Sequence, residues 1–514
     1  MPQLYPKRLS LACLYSFIAG SVLVLGFSPF NCWIFGLISA AAFLGLYQQR
    51  TPKQAFWVGA CFGLGLFGFG ASWIFISIDT YGNTNIVVAT LITALFIVFL
   101  SLFPALQAWS ARRFFKVPFY IEAVLVFPSL WTLPELLRGS LFSGFPWLLL
   151  GYTQTFTFLS GYAKCFSVFG VSWIVAFLAA LVLLSAQSLF QKKQRMRLLS
   201  CLFLIALTLG GGAILHHQRF VQPVAGPPLK VALVQGDIPQ IIKWSPQALQ
   251  QITLIYSKLT GPILNTPLIV WPENAIPDFP ENIMPFINTL DSTTATFKSA
   301  IVFGLPIDNP INHQYYNGAL ALGDANGMYL KQHLVPFGEY VPLGLTSFYN
   351  FLNIPMSNFT PGPTQVIPMQ IHGLPVSVFI CYESAYPMEI REAAHSDYII
   401  TLSDDSWFGR SLGPYQHQEI AVMRAIETGR PILRATNSGV TSIINSQGQI
   451  VASAPLFIAT ILQGEITPVT GMTPWLNWGI EPVIVFTLLL LFLARIFPFM
   501  QKKKAAYVQK NPRP

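Results

Sequence analysis

Before Leu229 the chain is a succession of apolar runs joined by polar links: roughly Leu9–Phe27, Phe30–Tyr47, Ala55–Ile78, Ile86–Trp109, Phe119–Leu137, Tyr162–Phe190 and Leu198–Leu215. An eighth run follows at roughly Trp478–Phe499. Runs of this length leave few options. A helix needs about 20 residues to cross the hydrocarbon core of a bilayer. A chain inside that core must satisfy its own backbone hydrogen bonds, and a helix does so. Eight membrane helices are therefore expected. The composition agrees: 53% of the 514 residues are apolar and 10% are charged, and the mean hydropathy is +0.53. Soluble domains carry about 25% charged residues. The first run lacks a small-x-small cleavage site and further runs follow at once, so it reads as a span, not a removed signal.

The formal charge of +9 would suit an anionic partner, but its placement argues for topology. Before Leu229 the only acids are Asp79, Glu122 and Glu135. The bases cluster: Lys7 and Arg8 before the first run; Arg50 and Lys53 after the second; Arg112, Arg113 and Lys116 after the fourth. Lys192, Lys193, Arg195 and Arg197 follow the sixth run, and Lys502, Lys503 and Lys504 follow the eighth. If the runs alternate across a membrane, every cluster falls on one side, which the excess of Lys and Arg marks as cytoplasmic. Both termini are then cytoplasmic, and the segment between runs seven and eight lies outside. No basic stripe interleaved with aromatics occurs, so nucleic-acid binding is not expected. An outer domain has neither ATP nor cytosolic acyl-CoA, so its chemistry must draw on lipid, exported protein or periplasmic solutes. The expected organisation is a seven-helix membrane domain at 1–220, a catalytic domain at 229–472, and a last membrane helix with a basic tail at 473–514.

The middle segment reads as alternating strands and helices. "LKVALVQGDI", "PLIVWPENA", "AIVFGLPI", "YYNGALALG", "GLPVSVFIC" and "DYIITLSDD" are short apolar runs that end in polar residues. Ser245–Leu259 and "QHQEIAVMRAIETG" have helical patterns, the latter ending on a glycine. Such alternation favours a layered α/β domain. No GxGxxG fingerprint, Walker A loop or HExxH helix occurs, so phosphate cradling and zinc hydrolysis have no handle, and no metal is expected.

Cys13, Cys32, Cys61, Cys165 and Cys201 sit in or beside apolar runs and read as small buried hydrophobes. Cys381 stands apart, at the end of "VSVFIC". A thiol attacks an acyl carbon as thiolate, and its free pKa is about 8.5, so it needs a base or a cation nearby. Neither of the nearest histidines, His372 and His395, adjoins it in sequence. A Cys–His dyad through space is one arrangement. The other is a carboxylate base with a lysine: Glu273 in "VWPENA" and Lys331 in "YLKQHL" also stand where strand-like sequence turns polar. Glu would take the thiol proton, and Lys with a backbone N–H would stabilise an oxyanion.

"WPENA", "KQHLVPFGEYVP" and "FICYES" resemble the Glu–Lys–Cys signatures of the carbon–nitrogen hydrolase (nitrilase) superfamily, over about Leu229–Gly464. With the apolar runs, "GFSPF", "VQGDIPQIIKW", "LVPFGEYVPL" and "SWFG…GPYQH", nearly the whole chain resembles the apolipoprotein N-acyltransferase family. The resemblance implies a multi-span α-helical membrane domain of eight helices plus an extracytoplasmic α/β nitrilase-like αββα sandwich. It implies a catalytic triad of Glu273, Lys331 and Cys381, with supporting or substrate-binding roles for Glu339, Tyr382, Glu383 and Trp244. It further implies acyl transfer without a cofactor. The donor would be a membrane phospholipid and the acceptor the α-amine of a diacylglyceryl-apolipoprotein, in a bacterial inner membrane with the catalytic domain periplasmic; a monomer is expected. The family usually has Asn where this chain has Asp404, in "SDDSWFG", which leaves an amide-specific contact there in question. The apolar stretch after Glu339 offers Phe348, Tyr349, Phe351 and Leu352 either to lipid or to the domain core. Arg138 and Lys164 either meet phosphate headgroups or merely anchor at the interface. Two rivals stand beside the acyltransferase: a membrane-tethered amidase or nitrilase acting on small amides, and a non-enzymatic transporter or scaffold. The latter fits poorly with so few charges within the spans.

Overall fold

A computed structural model describes residues 6–82, 84–189, 194–309, 311, 314–341, 358–365 and 367–510, with backbone alone at 499, 500 and 502–510. Phe348, Tyr349, Phe351 and Leu352, and the bases Lys192 and Lys193, lie outside the described residues. The chain divides into two compact units. One holds the chain up to Ser72, Leu91–Gln218 and the chain from Trp478; the other holds Trp73–Thr90 and Arg219–Asn477.

In the helical unit the apolar runs become helices. Six are long and apolar enough to cross a membrane among the described residues: Leu9–Gly26, Ile86–Phe114, Phe119–Arg138, Phe158–Leu189, Arg195–His217 and Glu481–Pro498. The second expected run is helical only over Ile34–Tyr47, 14 residues, or about 21 Å at 1.5 Å per residue. Its first residues are spent in turns around Pro29 and Asn31, the latter with φ of 54°. The third run is broken: Pro52–Gly70 and Ile74–Tyr81 are long and apolar enough to span only when counted together, with a bend of 59° between them, and the second half falls in the other unit.

Small residues set the closest helix contact. A Cβ on Gly20 would lie 2.0 Å from the Phe62 carbonyl oxygen, and one on Gly65 would lie 2.1 Å from that of Phe17. Between them Ser16 Oγ donates to the Val58 carbonyl at 2.7 Å. Helices Leu9–Leu23 and Pro52–Gly70 thus meet backbone to backbone, as small residues allow in a medium where burial of apolar surface gives no driving force. Arg138 and Lys164 are both buried. Arg138 Nη1 donates to the Phe145 and Trp147 carbonyls. Lys164 Nζ donates to the carbonyls of Leu215, His216 and Gln218, where a cation complements the C-terminal end of helix Arg195–His217. Internal carbonyls, rather than an interface, receive both groups.

The other unit is built on two sheets. One has six strands in the order Thr460–Ile466, Leu229–Gln235, Leu268–Val270, Ala300–Asn309, Gln314–Gly323, Met328–Leu330. The other has seven, in the order Ile450–Ser453, Ser442–Ile444, Ile432–Thr436, Tyr398–Ser403, Leu374–Ile380, Met369–Ile371, Ala325–Asn326. Strand periodicity of two explains the layering. Val231 and Leu233 join Val376, Val378, Ile400 and Leu433 in a core between the sheets. Ala232 and Val234 face the other way, with Ile252 and Tyr256 of helix Leu249–Thr260 and Ile287 of helix Met284–Thr296. Helix Gly413–Thr428, buried along its length, belongs to the layer on the second sheet. This is the expected αββα sandwich.

The central strands of both sheets run parallel: Leu229–Gln235 with Leu268–Val270 and Ala300–Asn309, and Leu374–Ile380 with Tyr398–Ser403 and Ile432–Thr436. Being covered on both faces, such strands read as continuous apolar runs. Their carboxyl ends open on one edge, where open α/β sheets gather their chemistry.

Candidate active site

Three strand ends supply the acidic residues and the thiol. Glu273 follows Leu268–Val270, Cys381 follows Leu374–Ile380, and Asp404 and Asp405 follow Tyr398–Ser403. Lys331 follows Met328–Leu330. Glu273, Lys331, Glu339, Cys381 and Glu383 are all buried. The chain turns sharply at the thiol: Cys381 has φ of 55°, a left-handed conformation that costs a non-glycine residue about 1 kcal/mol or more and persists only where its surroundings enforce it.

Lys331 Nζ lies 2.9 Å from Glu339 Oε1 and 3.5 Å from Glu273 Oε1. Burial opposes its charge, yet Glu339 and Glu273 outweigh burial and hold the ammonium above its ordinary value. Asn317 Nδ2 donates to both carboxylates, at 2.8 Å to Glu273 Oε1 and 2.7 Å to Glu339 Oε1. Glu273 Oε2 accepts from the Asp404 backbone N–H at 2.9 Å. Glu273 titrates above its usual range because it is buried; Lys331 pulls it down, and the like charges of Glu339 and Asp404 work against that pull. Burial, with Glu273 beside it, also raises the Cys381 thiol well above its ordinary value, against the pull of Lys331. The resting thiol is therefore protonated, and a carboxylate of raised basicity stands within electrostatic reach of it.

Glu383 joins the nucleophile turn to the lysine turn. Its Oε2 accepts from the Ile380 N–H at 2.6 Å. Its Oε1 accepts from Tyr329 Oη at 2.8 Å and from the backbone N–H groups of Gln332 and His333 at 2.7 and 3.1 Å. Burial pushes its carboxyl up to about 7, against Lys331 and these donors. Tyr382 is half-buried, its ring 5.1 Å from Tyr386 and 6.1 Å from His333. Trp244 is half-buried at the end of the short helix Gln240–Lys243. With the Gln240 amide turned to satisfy its neighbours, Trp244 Nε1 donates to it at 3.2 Å.

That helix also delivers a residue that the sequence reading passed over. Lys243 Nζ pairs with Asp404 Oδ2 at 2.6 Å and donates to the Glu273 carbonyl at 3.1 Å. Asp404 further accepts from Ser406 Oγ at 2.5 Å and from Asn437 Nδ2 at 3.2 Å. An acid where the family usually has an amide is thus neutralised by a buried lysine, and the contact to Glu273 comes from the main chain.

The histidine alternative for the thiol takes a different form. His372 is tied to Asp324 and to the Pro267 carbonyl. A histidine not considered from sequence, His417, reaches Cys381, but at its carbonyl oxygen, 3.1 Å from Nε2. Its Nδ1 lies 2.8 Å from Asp405 Oδ1, and Arg434 Nη2 lies 2.7 Å from Asp405 Oδ2. Asn317, Lys243, His417 and Arg434 each sit in an otherwise apolar or helical stretch. A buried polar group needs a partner, which is the signal that marks Arg434 in "PILRATN" and Asn317 in "YYNGALALG". Among the described residues no group of three or more His, Cys, Asp and Glu side chains is arranged to hold a metal ion.

A two-sheet sandwich with Glu, Lys and Cys at its strand ends belongs to the carbon–nitrogen hydrolase class, and the carbon–nitrogen hydrolase family model matches residues 230–473. The model for the apolipoprotein N-acyltransferase N-terminal domain matches residues 19–181. The apolipoprotein N-acyltransferase of Coxiella burnetii is 40% identical over 483 residues, covering 93% of this chain and 99% of its own. Those of Methylococcus capsulatus and Pseudomonas syringae pv. tomato are each 39% identical, covering 92% and 93% of this chain and 94% and 95% of theirs. The chain belongs to the apolipoprotein N-acyltransferase family.

Proposed function

We propose that the protein transfers a fatty acyl chain from a membrane phospholipid to the α-amine of a diacylglyceryl-cysteine at the start of an apolipoprotein, through a thioester on Cys381. Glu273 takes the Cys381 proton as the sulfur attacks the ester carbonyl. Lys331 and a backbone N–H hold the oxyanion. The ester C–O bond breaks, and Glu273 returns the proton to the departing lysophospholipid. The acceptor amine then attacks the thioester, the C–S bond breaks, and the amine's proton passes by way of Glu273 to the sulfur. Two modest steps replace one difficult one.

The observation that carries this reading is a buried thiol at a strand end beside a buried carboxylate and ammonium that stand 3.5 Å apart, in a chain whose described residues include six helices long and apolar enough to cross a membrane. A small soluble amide needs no such helices, so the tethered amidase is not favoured. The clusters of Lys and Arg between runs support cytoplasmic termini, a periplasmic catalytic domain and residence in the bacterial inner membrane. Glu339 and Glu383 are assigned to holding Lys331 and the nucleophile turn, and Tyr382 and Trp244 to the walls of the substrate site.

Intact mass spectrometry after incubation with phospholipid is the test. The expected result is a fatty-acyl increment on Cys381, discharged by a diacylglyceryl peptide with a free amine and absent from C381A. An increment discharged only by water, or acylation of Cys381 by a small amide with release of ammonia but not by phospholipid, would overturn it.

A further inference from the structure

Ser384, His417 and Asp405 form a buried line. Ser384 Oγ is 3.0 Å from His417 Nε2, and His417 Nδ1 is 2.8 Å from Asp405 Oδ1. None of the three is exposed to solvent. The residue types are those of a nucleophile–base–acid triad, yet no substrate reaches a hydroxyl so enclosed. The line ends instead on the nucleophile's own peptide: Ser384 Oγ donates to the Cys381 carbonyl oxygen at 3.0 Å, and His417 Nε2 stands 3.1 Å from that same oxygen.

The proton assignment follows from Arg434. Its guanidinium, 2.7 Å from Asp405 Oδ2, keeps Asp405 ionised, so Nδ1 of His417 must carry a proton to donate to it. In the neutral ring Nε2 then bears a lone pair, and the one hydroxyl proton of Ser384 lies between Nε2 and the carbonyl oxygen. That proton keeps two acceptors from facing one another bare. The same peptide plane that carries the Cys381 carbonyl carries the Tyr382 N–H, and in a trans peptide the two point in opposite directions. Whatever pins the oxygen also aims the N–H.

We infer that Ser384, anchored through His417, Asp405 and Arg434, is a positioning residue that sets the Cys381–Tyr382 peptide plane and so aims the Tyr382 N–H at the oxyanion formed when Cys381 is acylated. The left-handed turn at Cys381 is the conformation this network holds. The inference rests on the acyl-transfer reading above and adds to it the device that orients the main-chain donor.

Two reactions of the same sulfur separate this role from others. Acylation by phospholipid builds up an oxyanion. Alkylation by iodoacetamide displaces iodide at carbon and builds up none. Both are followed at Cys381 by peptide mass spectrometry in the full-length protein in detergent. In S384A the carbonyl oxygen faces the Nε2 lone pair without the intervening proton, and the plane tilts. Acylation is expected to slow at least about tenfold, short of the 10²–10³ that loss of a whole oxyanion donor costs. KM for phospholipid should be unchanged and alkylation should stay within about twofold. In S384A/H417Q the glutamine amide supplies a new N–H donor to the Cys381 carbonyl, and acylation is expected to recover severalfold.

Acylation of S384A at the wild-type rate overturns the inference. So does an equal fall in acylation and alkylation, which would mean that the network places the sulfur or holds the fold. Failure of the wild-type protein to be acylated at all overturns the acyl-transfer reading instead. Should S384A not fold, H417F, which keeps the ring's bulk but removes Nε2, goes through the same two assays with the same deciding outcomes.

Discussion

Glu273 and Glu339 share one lysine and one amide, and that arrangement fixes how the general base titrates. Two carboxylates and one ammonium leave the cluster one negative charge in excess, and burial makes the excess costly. Glu273 therefore holds its proton to a higher pH than an ordinary glutamate, whose pKa is about 4.3. Acylation of Cys381 needs Glu273 ionised, so its rate should fall as pH drops through a value above that range. E339Q removes the like charge that raises Glu273 and frees Lys331 to pair with it. Both changes lower the Glu273 pKa. The acid limb of single-turnover acylation should then move to lower pH, with a smaller plateau because Lys331 has lost the partner 2.9 Å away. A limb that stays put or moves upward in E339Q would mean that Glu273 is not the titrating base.

At the scale of elements, Glu383 does what no strand or helix does: it ties the end of Leu374–Ile380 to the turn after Met328–Leu330. E383A strands the donors of Ile380, Gln332, His333 and Tyr329, and each buried unsatisfied donor costs about 1–3 kcal/mol. A loss of about 3 kcal/mol or more is expected, read as a lowered unfolding midpoint in detergent, with both Lys331 and Cys381 displaced and acylation lost. E383Q should lose less, because its carbonyl oxygen can still accept from Tyr329, Gln332 and His333 and its NH₂ group opposes the Ile380 N–H alone; a wild-type midpoint in E383A would remove the clamp from the account. The strands themselves were legible in the sequence, because parallel strands buried on both faces leave unbroken apolar runs. Glu273, Lys331 and Cys381 were legible because each interrupts such a run at its end. Asn317 and Arg434 were legible only as lone polar residues in apolar strands, without their partners, and Lys243 and His417 were not legible as site residues. Their partners lie across the fold, with Lys243 and Asp404 161 residues apart and His417 and Cys381 36 apart, and no local pattern announces a pairing over that distance. The broken third run was hidden for a similar reason: the apolar pattern carries on across Ala71–Trp73 although the helix does not.

The whole molecule adds a connection of still longer range. Trp73–Thr90, read from hydropathy as the end of one membrane run and the start of another, belongs to the compact unit that holds the sheets. There it grips the loop after Asp404. Tyr81 Oη donates to the Ser406 carbonyl at 2.9 Å, Ser77 Oγ to that of Trp407 at 2.8 Å, and Trp73 Nε1 to Gln416 Oε1 at 3.1 Å. Trp73 also meets Phe408 edge to face, and Tyr81 meets Trp407 in the same way. A chain that folds only its 219–477 segment lacks all of these, so the loop bearing Asp404 and Asp405 depends on residues more than 300 positions away. Each neutral hydrogen bond contributes about 0.5–1.5 kcal/mol net, and losing two of them corresponds to about a tenfold or greater rise in local opening. Arg410 stands exposed in this loop and reports on it: in S77A/Y81F, trypsin cleavage after Arg410 should speed up about tenfold while cleavage elsewhere is unchanged. Acylation should fall in step, because Glu273 Oε2 is bonded to the Asp404 N–H at the loop's root. If cleavage after Arg410 is as slow in the double variant as in the wild type, the segment is a passive neighbour, and the stiffness of the loop has to come from Lys243, Asn437 and Arg434 alone.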